Sequence, residues 1–176
     1  MKHYIYLVVD NFSRRILSWR VSDSVSGTIR MQTLHEAWEH AKSIRPNLEV
    51  DLIVDGGPEN ANTVIDSFIS SEGISIHRKI AMKEVLFSNS MVEAVNKIVK
   101  YRYLFPKPIA NGEQLKRHMA ASVHDINAIR PHGSLNGDTP DERYYEIQVA
   151  DTTPAMAQAR MDRKTMNRNS NCGKCL

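Results

Sequence analysis

The sequence predicts an α/β protein with a mixed sheet flanked by helices. Three observations carry that class. Tyr4–Val9 and Ile16–Val21 are β-branched and aromatic runs on either side of the short Asn11–Arg15 turn, so they read as an antiparallel hairpin. Two helical patterns follow, each succeeded by a short apolar strand. From Ser90 onward the pattern is helical, broken only by prolines and a turn. Strand, strand, helix, strand, helix, strand and then helices is a layered α/β order.

Taken in order, the first strand ends at Asp10, and Ile16–Val21 returns. Ser26-Gly27-Thr28 starts a helix whose Met31, Leu34, Trp38 and Ala41 share one face, and Pro46 ends it. Val50–Val54 is the next strand. A second helix from about Asn60 places Val64, Ile65, Phe68 and Ile69 on its apolar side. Gly73 stops it before a short strand over Ile74–Ile76, and residues 78–88 have no regular pattern. The helix Ser90–Leu104 is two-faced. Val92, Val95, Val99 and Tyr103 lie on one side, and Glu93, Asn96, Lys97 and Lys100 on the other. Pro106 and Pro108 break the chain before a helix from Glu113 to about Ile129. Arg130–Leu135 reads as a loop, and Thr139-Pro140-Asp141-Glu142 as an N-cap, a proline at the first position and a first turn of acids. Residues 1–148 are thus expected to form the core, and 149–176 a flexible, polar, basic tail.

Composition excludes little. A chain of 176 residues, 41% hydrophobic and 24% charged, has enough apolar residues for a real core. No apolar run is long enough to span a membrane, so a cytoplasmic protein without a membrane partner is expected. The net charge of +3 permits nucleic-acid binding without demanding it. From Asp151 onward five cations (Arg160, Arg163, Lys164, Arg168, Lys174) face two acids (Asp151, Asp162), which accounts for the whole excess. Cys172-Gly173-Lys174-Cys175 offers half of a zinc ligand set, and a structural zinc needs four ligands. An incidental pair of reduced thiols is the better reading.

Three carboxylates stand where chemistry could use them: Asp10 and Asp55 at strand ends, and Glu93 on a helix. Asp55 closes the apolar run Leu52-Ile53-Val54 just before Gly56-Gly57-Pro58, where the backbone turns away and a cation can approach. Hard cations such as magnesium take oxygen ligands, and paired cations drive phosphoryl transfer. The plainer alternatives are a turn-forming Asp55 and a solvated Glu93.

Several motifs in order sharpen this reading. Asp55-Gly56-Gly57-Pro58-Glu59-Asn60, Asn89-x-x-Val92-Glu93-x-x-Asn96-Lys97, Asn127-x-x-Arg130-Pro131-His132-x-x-Leu135 and Thr139-Pro140 resemble the integrase catalytic core. That family joins retroviral integrases to the DDE transposases of bacterial insertion sequences. Tyr6–Arg14 with Ile16–Trp19 is similar to its second and third strands, and the resemblance spans roughly residues 4–145.

The resemblance implies an RNase H-like fold and magnesium- (or manganese-) dependent DNA cleavage and strand transfer. It makes Asp55 the second acid of the triad and Glu93 the third, both metal ligands, with 37 residues between them, slightly more than is usual. It places Lys97 and Lys100 against phosphates at the DNA end, though ordinary solvated lysines would look the same. Asn89 matches the family, whereas Ser88 stands where many such transposases have an aspartate. Arg130 and His132 either contact DNA or tie the last helices to the core.

The family's first acid lies in a Trp-x-x-Asp-x-Thr-like motif on an earlier strand, which this sequence lacks; an N-terminally truncated core is therefore expected. Asp10 is the tempting substitute. However, the implied second strand runs antiparallel to the one carrying that acid, so Asp10 is expected to cap the Asn11–Arg14 turn instead. The expectation is an incomplete or inactive transposase core, acting on transposon-end and target DNA as a homo-oligomer in a bacterial cytoplasm, at the nucleoid when DNA-bound. A non-catalytic DNA-binding or dimerising remnant and an RNase H-like nuclease are the alternatives.

Overall fold

The computed structural model describes residues 2–54, 63–80 and 90–147, together with 158–159, 161–163, 165–166 and 168–169. Two compact units make up the chain. The first holds Met1–Val9 and Ile16–Ala120, and the second holds Asp10–Arg15 and Ala121–Leu176.

In the first unit, β1 (Tyr4–Val9) and β2 (Ile16–Ser22) pair antiparallel, from Tyr4 opposite Ser22 to Leu7 opposite Trp19. An irregularity follows between Val8 and Val9, next to the turn. Helix α1 (Gly27–Ile44) starts at Ser26, whose hydroxyl accepts from the Ile29 amide. The Tyr6 hydroxyl fixes that entry. It donates to the Ser24 carbonyl (3.2 Å) and accepts from the Ser26 amide (2.9 Å). Ser18 on β2 donates to the Thr33 carbonyl of α1 at 2.6 Å, so a buried hydroxyl is satisfied across the strand–helix contact.

The other ribbon in this unit is parallel. β3 (Val50–Val54) pairs in register with β4 (Ile76–Ile80), Val50 opposite Ile76 and Val54 opposite Ile80. Helix α2 (Thr63–Ile69) connects them, and Gly73 makes the turn out of it at φ 80°, a backbone state that favours glycine. The mixed sheet thus takes the form of two two-stranded sheets, one of each sense, among the described residues. Leu34 and Trp38 of α1 pack with Ile65 of α2 and Ile76 of β4, and Met31, Leu48, Val50, Leu52 and Phe68 close around them.

The strand expected at Ile74–Ile76 is a correction: it runs over Ile76–Ile80 instead. Its middle, His77-Arg78-Lys79, is too polar to read as a strand from sequence. As an edge strand it tolerates those residues, because Lys79 Nζ reaches Asp51 Oδ2 on β3 (2.6 Å) and Arg78 pairs with Asp66 of α2. Ile74 still packs on the core from the preceding loop.

Helix α3 (Ser90–Lys97) runs on as a wide π-helical stretch over Ile98–Leu104. Helix α4 (Gly112–His124) does the same over Asp125–Ile129, so the long expected helix is present with a wider final turn.

In the second unit, α5 (Pro140–Tyr144) carries the expected start. Thr139 accepts from the Glu142 amide, and the Glu142 carboxylate accepts from the Thr139 amide at 2.7 Å. Arg15 joins the 10–15 turn to this helix. Its Nε donates to Asp141 Oδ1 (2.6 Å), and its guanidinium lies about 5 Å from the Tyr144 and Tyr145 rings. Arg163 lies 3.4 Å from both the Gly137 carbonyl and Glu142.

Trp38 is 4% exposed at the centre of the first unit's core. Trp38→Ala should lower stability by about 3–5 kcal/mol, read from urea unfolding against the parent chain. A loss below about 1 kcal/mol would mean that α1 is not the cover of both ribbons.

Candidate functional site

The phase of α3 decides what the site presents. Val95 and Val99 are buried, and the next buried position is Leu104, five residues on. That spacing follows from the wide turn, in which the Phe105 amide donates to the Lys100 carbonyl at 2.8 Å. A regular helix would have put Tyr103 at the centre of the seam, as the sequence suggested. Instead Tyr103 is half-buried and Leu104 takes the core position. Glu93, Lys97 and Lys100 are all exposed on the other side. Glu93 lies in the first turn of α3, where the helix dipole favours a carboxylate, and Lys97 in its last.

The structure therefore brings together three of the six expected site residues: Glu93, Lys97 and Lys100. Asp55 and Asn89 lie outside the described residues, as do Cys172 and Cys175. β3 ends at Val54, so Asp55 directly follows a strand of the first unit. Among the described residues no group of three or more His, Cys, Asp or Glu side chains converges on a point. The exposed Glu93 carboxylate is a hard oxygen donor of the kind magnesium takes, so its chemistry fits that ion. No described helix is long and apolar enough to cross a membrane.

Asp10 is engaged as the sequence suggested. Its Oδ2 accepts from the Ser13 amide (2.7 Å) and the Ser13 hydroxyl (2.6 Å), and its backbone carbonyl accepts from the Arg14 amide (2.9 Å). The carboxylate closes the turn.

Arg130 belongs to the second unit, where the sequence had left its role open. It follows the widened end of α4, its amide bonded to the Asp125 carbonyl, and its half-buried guanidinium has one Nη with no hydrogen-bond partner among the described residues. Arg14 of this unit had no signal in the sequence that would place it with the Arg130-Pro131-His132 motif. Arg14 sits in the left-handed region (φ 65°) with its guanidinium on Asn11 Oδ1, and His132 has its Nδ1 3.0 Å from the Ser134 hydroxyl. Burial lowers the His132 pKa from the usual imidazole value, and the charges of Arg14 and then Arg130 lower it further. Three basic side chains thus share one neighbourhood, in which protonation of the histidine is disfavoured.

Comparison with known proteins agrees with this geometry. The family model described as the integrase core domain matches residues 87–140, a stretch that contains Glu93, Lys97, Lys100 and Arg130. Over that stretch the chain is similar to integrase cores. The fold is similar as well. A chain of the simian T-cell lymphotropic virus intasome, in complex with the PP2A regulatory subunit B56 gamma, superposes with a TM-score of 0.65 at 16% identity. That match covers 86% of this chain but 52% of the viral one, so the chain spans about half of that relative's length. The HTLV-2 integrase catalytic core domain in complex with magnesium gives TM-scores of 0.57 (trimeric form, 18% identity) and 0.54 (dimeric form, 19%). Each of these covers 81% of this chain and 90% of the viral domain. No curated protein matches the chain. The chain therefore has an α/β, RNase H-like fold with small sheets flanked by helices, resembling integrase catalytic cores.

The lowered His132 pKa has a consequence for stability. Because the folded state resists protonation, the unfolded chain takes up the proton first as pH falls below about 6.5. Stability should be flat above that pH and fall as pH drops from 6.5 toward the folded-state pKa. His132→Gln should flatten this part of the profile, measured by urea unfolding at a series of pH values. An unchanged slope would show that His132 is not the titrating group.

Proposed function

We propose that this integrase-type core is part of a DNA transposase, acting on transposon-end and target DNA by magnesium- or manganese-dependent strand cleavage and transfer. The observation that carries the reading is the placing of Glu93, Lys97 and Lys100 on one exposed helix face, within the segment that matches the integrase core domain. Asp55 and Glu93 would hold the cation, which when bound supplies Lewis-acid stabilisation to phosphodiester cleavage. Lys97 and Lys100 would hold the phosphates next to it, fixing the DNA without reading its sequence. Asn89, just ahead of α3, would add a polar contact to the same polyanion, and Arg130 is proposed as a further DNA contact of the second unit taken by itself.

Relatives with this fold have been solved in dimeric and trimeric forms, which supports a homo-oligomer acting on paired DNA ends. Two carboxylates hold a cation less firmly than three, so cleavage by residues 1–176 alone is expected to be slight. The second reading is a DNA-binding protein without catalysis. It is favoured by the fact that the described residues place two lysines but one acid on this face.

Salt and metal dependence separate the two. Lys97→Ala and Lys100→Ala should each weaken binding to transposon-end duplexes and shallow the log K against log salt slope by about 1. Any cleavage seen with manganese should vanish in both Asp55→Asn and Glu93→Gln. Cleavage that survives Glu93→Gln would remove it from the site. Binding unaffected by either lysine would remove the DNA face.

A further inference from the structure

The exposed face of α3 does not end at Lys100. Tyr101 follows it on the π-helical stretch and Phe105 caps that stretch, 68% and 65% exposed, with ring centroids 5.1 Å apart at an interplanar angle of 81°. Large aromatic side chains left this open are unusual on an otherwise ordinary surface, and two that touch form a patch. The wide turn produces it. Leu104 takes the buried position, and the residues three before and one after it are left outside.

The charge around this patch is of one sign. Between Glu93 and Glu113 the chain carries four cations, Lys97, Lys100, Arg102 and Lys107, and no acid. All four are exposed, and Lys107 lies 3.5 Å from His118, itself a base. A second copy docked here would bring the cations of both chains together, which costs affinity. A neutral lipid or an apolar peptide would leave them uncompensated. A polyanion that also carries flat, apolar, stackable groups satisfies both features, and single-stranded nucleic acid is that ligand.

We propose that Tyr101 and Phe105 form a stacking platform for unpaired bases at the DNA end, beside the phosphate-binding lysines. The inference rests on the DNA reading above and adds the state of the DNA: frayed or overhanging rather than fully paired. The rings stand at a steep angle to each other, so each offers a face to a separate base rather than closing on its neighbour. Backbone phosphates lie along Lys97 and Lys100. Tyr101 and Phe105 follow Glu93 by 8 and 12 residues, roughly 12–18 Å along the helix, so the splayed bases held on the rings are those a few nucleotides away from the Glu93 end.

The test compares two labelled DNAs of equal length with the full chain, a blunt duplex and one with a short single-stranded overhang, by fluorescence anisotropy. A 2-aminopurine in the overhang reports stacking. The parent chain should prefer the overhang and quench the probe. Tyr101→Ala with Phe105→Ala should weaken overhang binding about tenfold or more and abolish the quench, leaving blunt-duplex binding within about twofold. Tyr101→Phe should behave as the parent. Both side chains are mostly in solvent, so the double variant is expected to fold, and unchanged circular dichroism checks this.

Equal losses on both DNAs, or no loss on either, would overturn the platform while leaving the DNA reading in place. A double variant that becomes monomeric in sedimentation, with unchanged overhang affinity, would make the patch a self-association surface and also overturn it. If the parent chain binds neither DNA, the DNA reading itself falls, and the platform with it.

Discussion

What the exposed face of α3 presents depends on burying one apolar seam. Val95, Val99 and Leu104 anchor the α3 helix on its core side, so their spacing sets which residues look outward. Burying three aliphatic side chains stabilises by several kcal/mol, on the order of 2 each. The ion and phosphate contacts proposed for the opposite face would each be worth less. The apolar seam therefore sets the phase, and the chemistry follows from it. Glu93, Lys97, Lys100 and the Tyr101–Phe105 pair emerge on the outside because a step of four residues is followed by a step of five.

A similar division holds in the rest of the first unit. Trp38 and Leu34 of α1 cover the parallel ribbon, while Thr33 meets Ser18 of the antiparallel one. A two-stranded ribbon is marginal by itself, and parallel pairing is normally covered by helices. One helix serving both ribbons explains why its buried positions include a threonine as well as large apolar residues. In the second unit the corresponding anchor is polar. Arg15, largely buried, meets Asp141 and two tyrosine rings, which fastens a surface turn to α5. Breaking such a pair by removing one partner would leave the other poorly solvated.

Much of this was legible in the sequence where a local physical rule acts alone. The Tyr4–Val9 hairpin, the Ser26 and Thr139 caps and the turn closed by Asp10 each follow from one residue and its nearest neighbours. What was not legible depends on partners distant in sequence. β4 reads as polar, and only Asp51 and Asp66 make its Lys79 and Arg78 acceptable in a strand. The widened turn after Lys97 has no marker such as proline or glycine, so regular periodicity misplaced Tyr103 in the seam and left Leu104 out of it. The lowered His132 pKa comes first from burial and then from the charge of Arg14, more than a hundred residues away. For the site itself, Glu93, Lys97 and Lys100 followed from helical spacing, while Asp55 rests on the resemblance and on the strand that leads to it.

The claim at the centre is that Asp55 and Glu93 share one divalent cation. Manganese binding followed by electron paramagnetic resonance tests it without requiring turnover, on the parent chain, Asp55→Asn and Glu93→Gln. The account predicts saturable binding in the parent, weakened at least about tenfold by either substitution, with the double variant no weaker than the worse single one, as expected for groups acting on one ion. Losses that add independently, or a parent chain whose manganese binding ignores both residues, would contradict it.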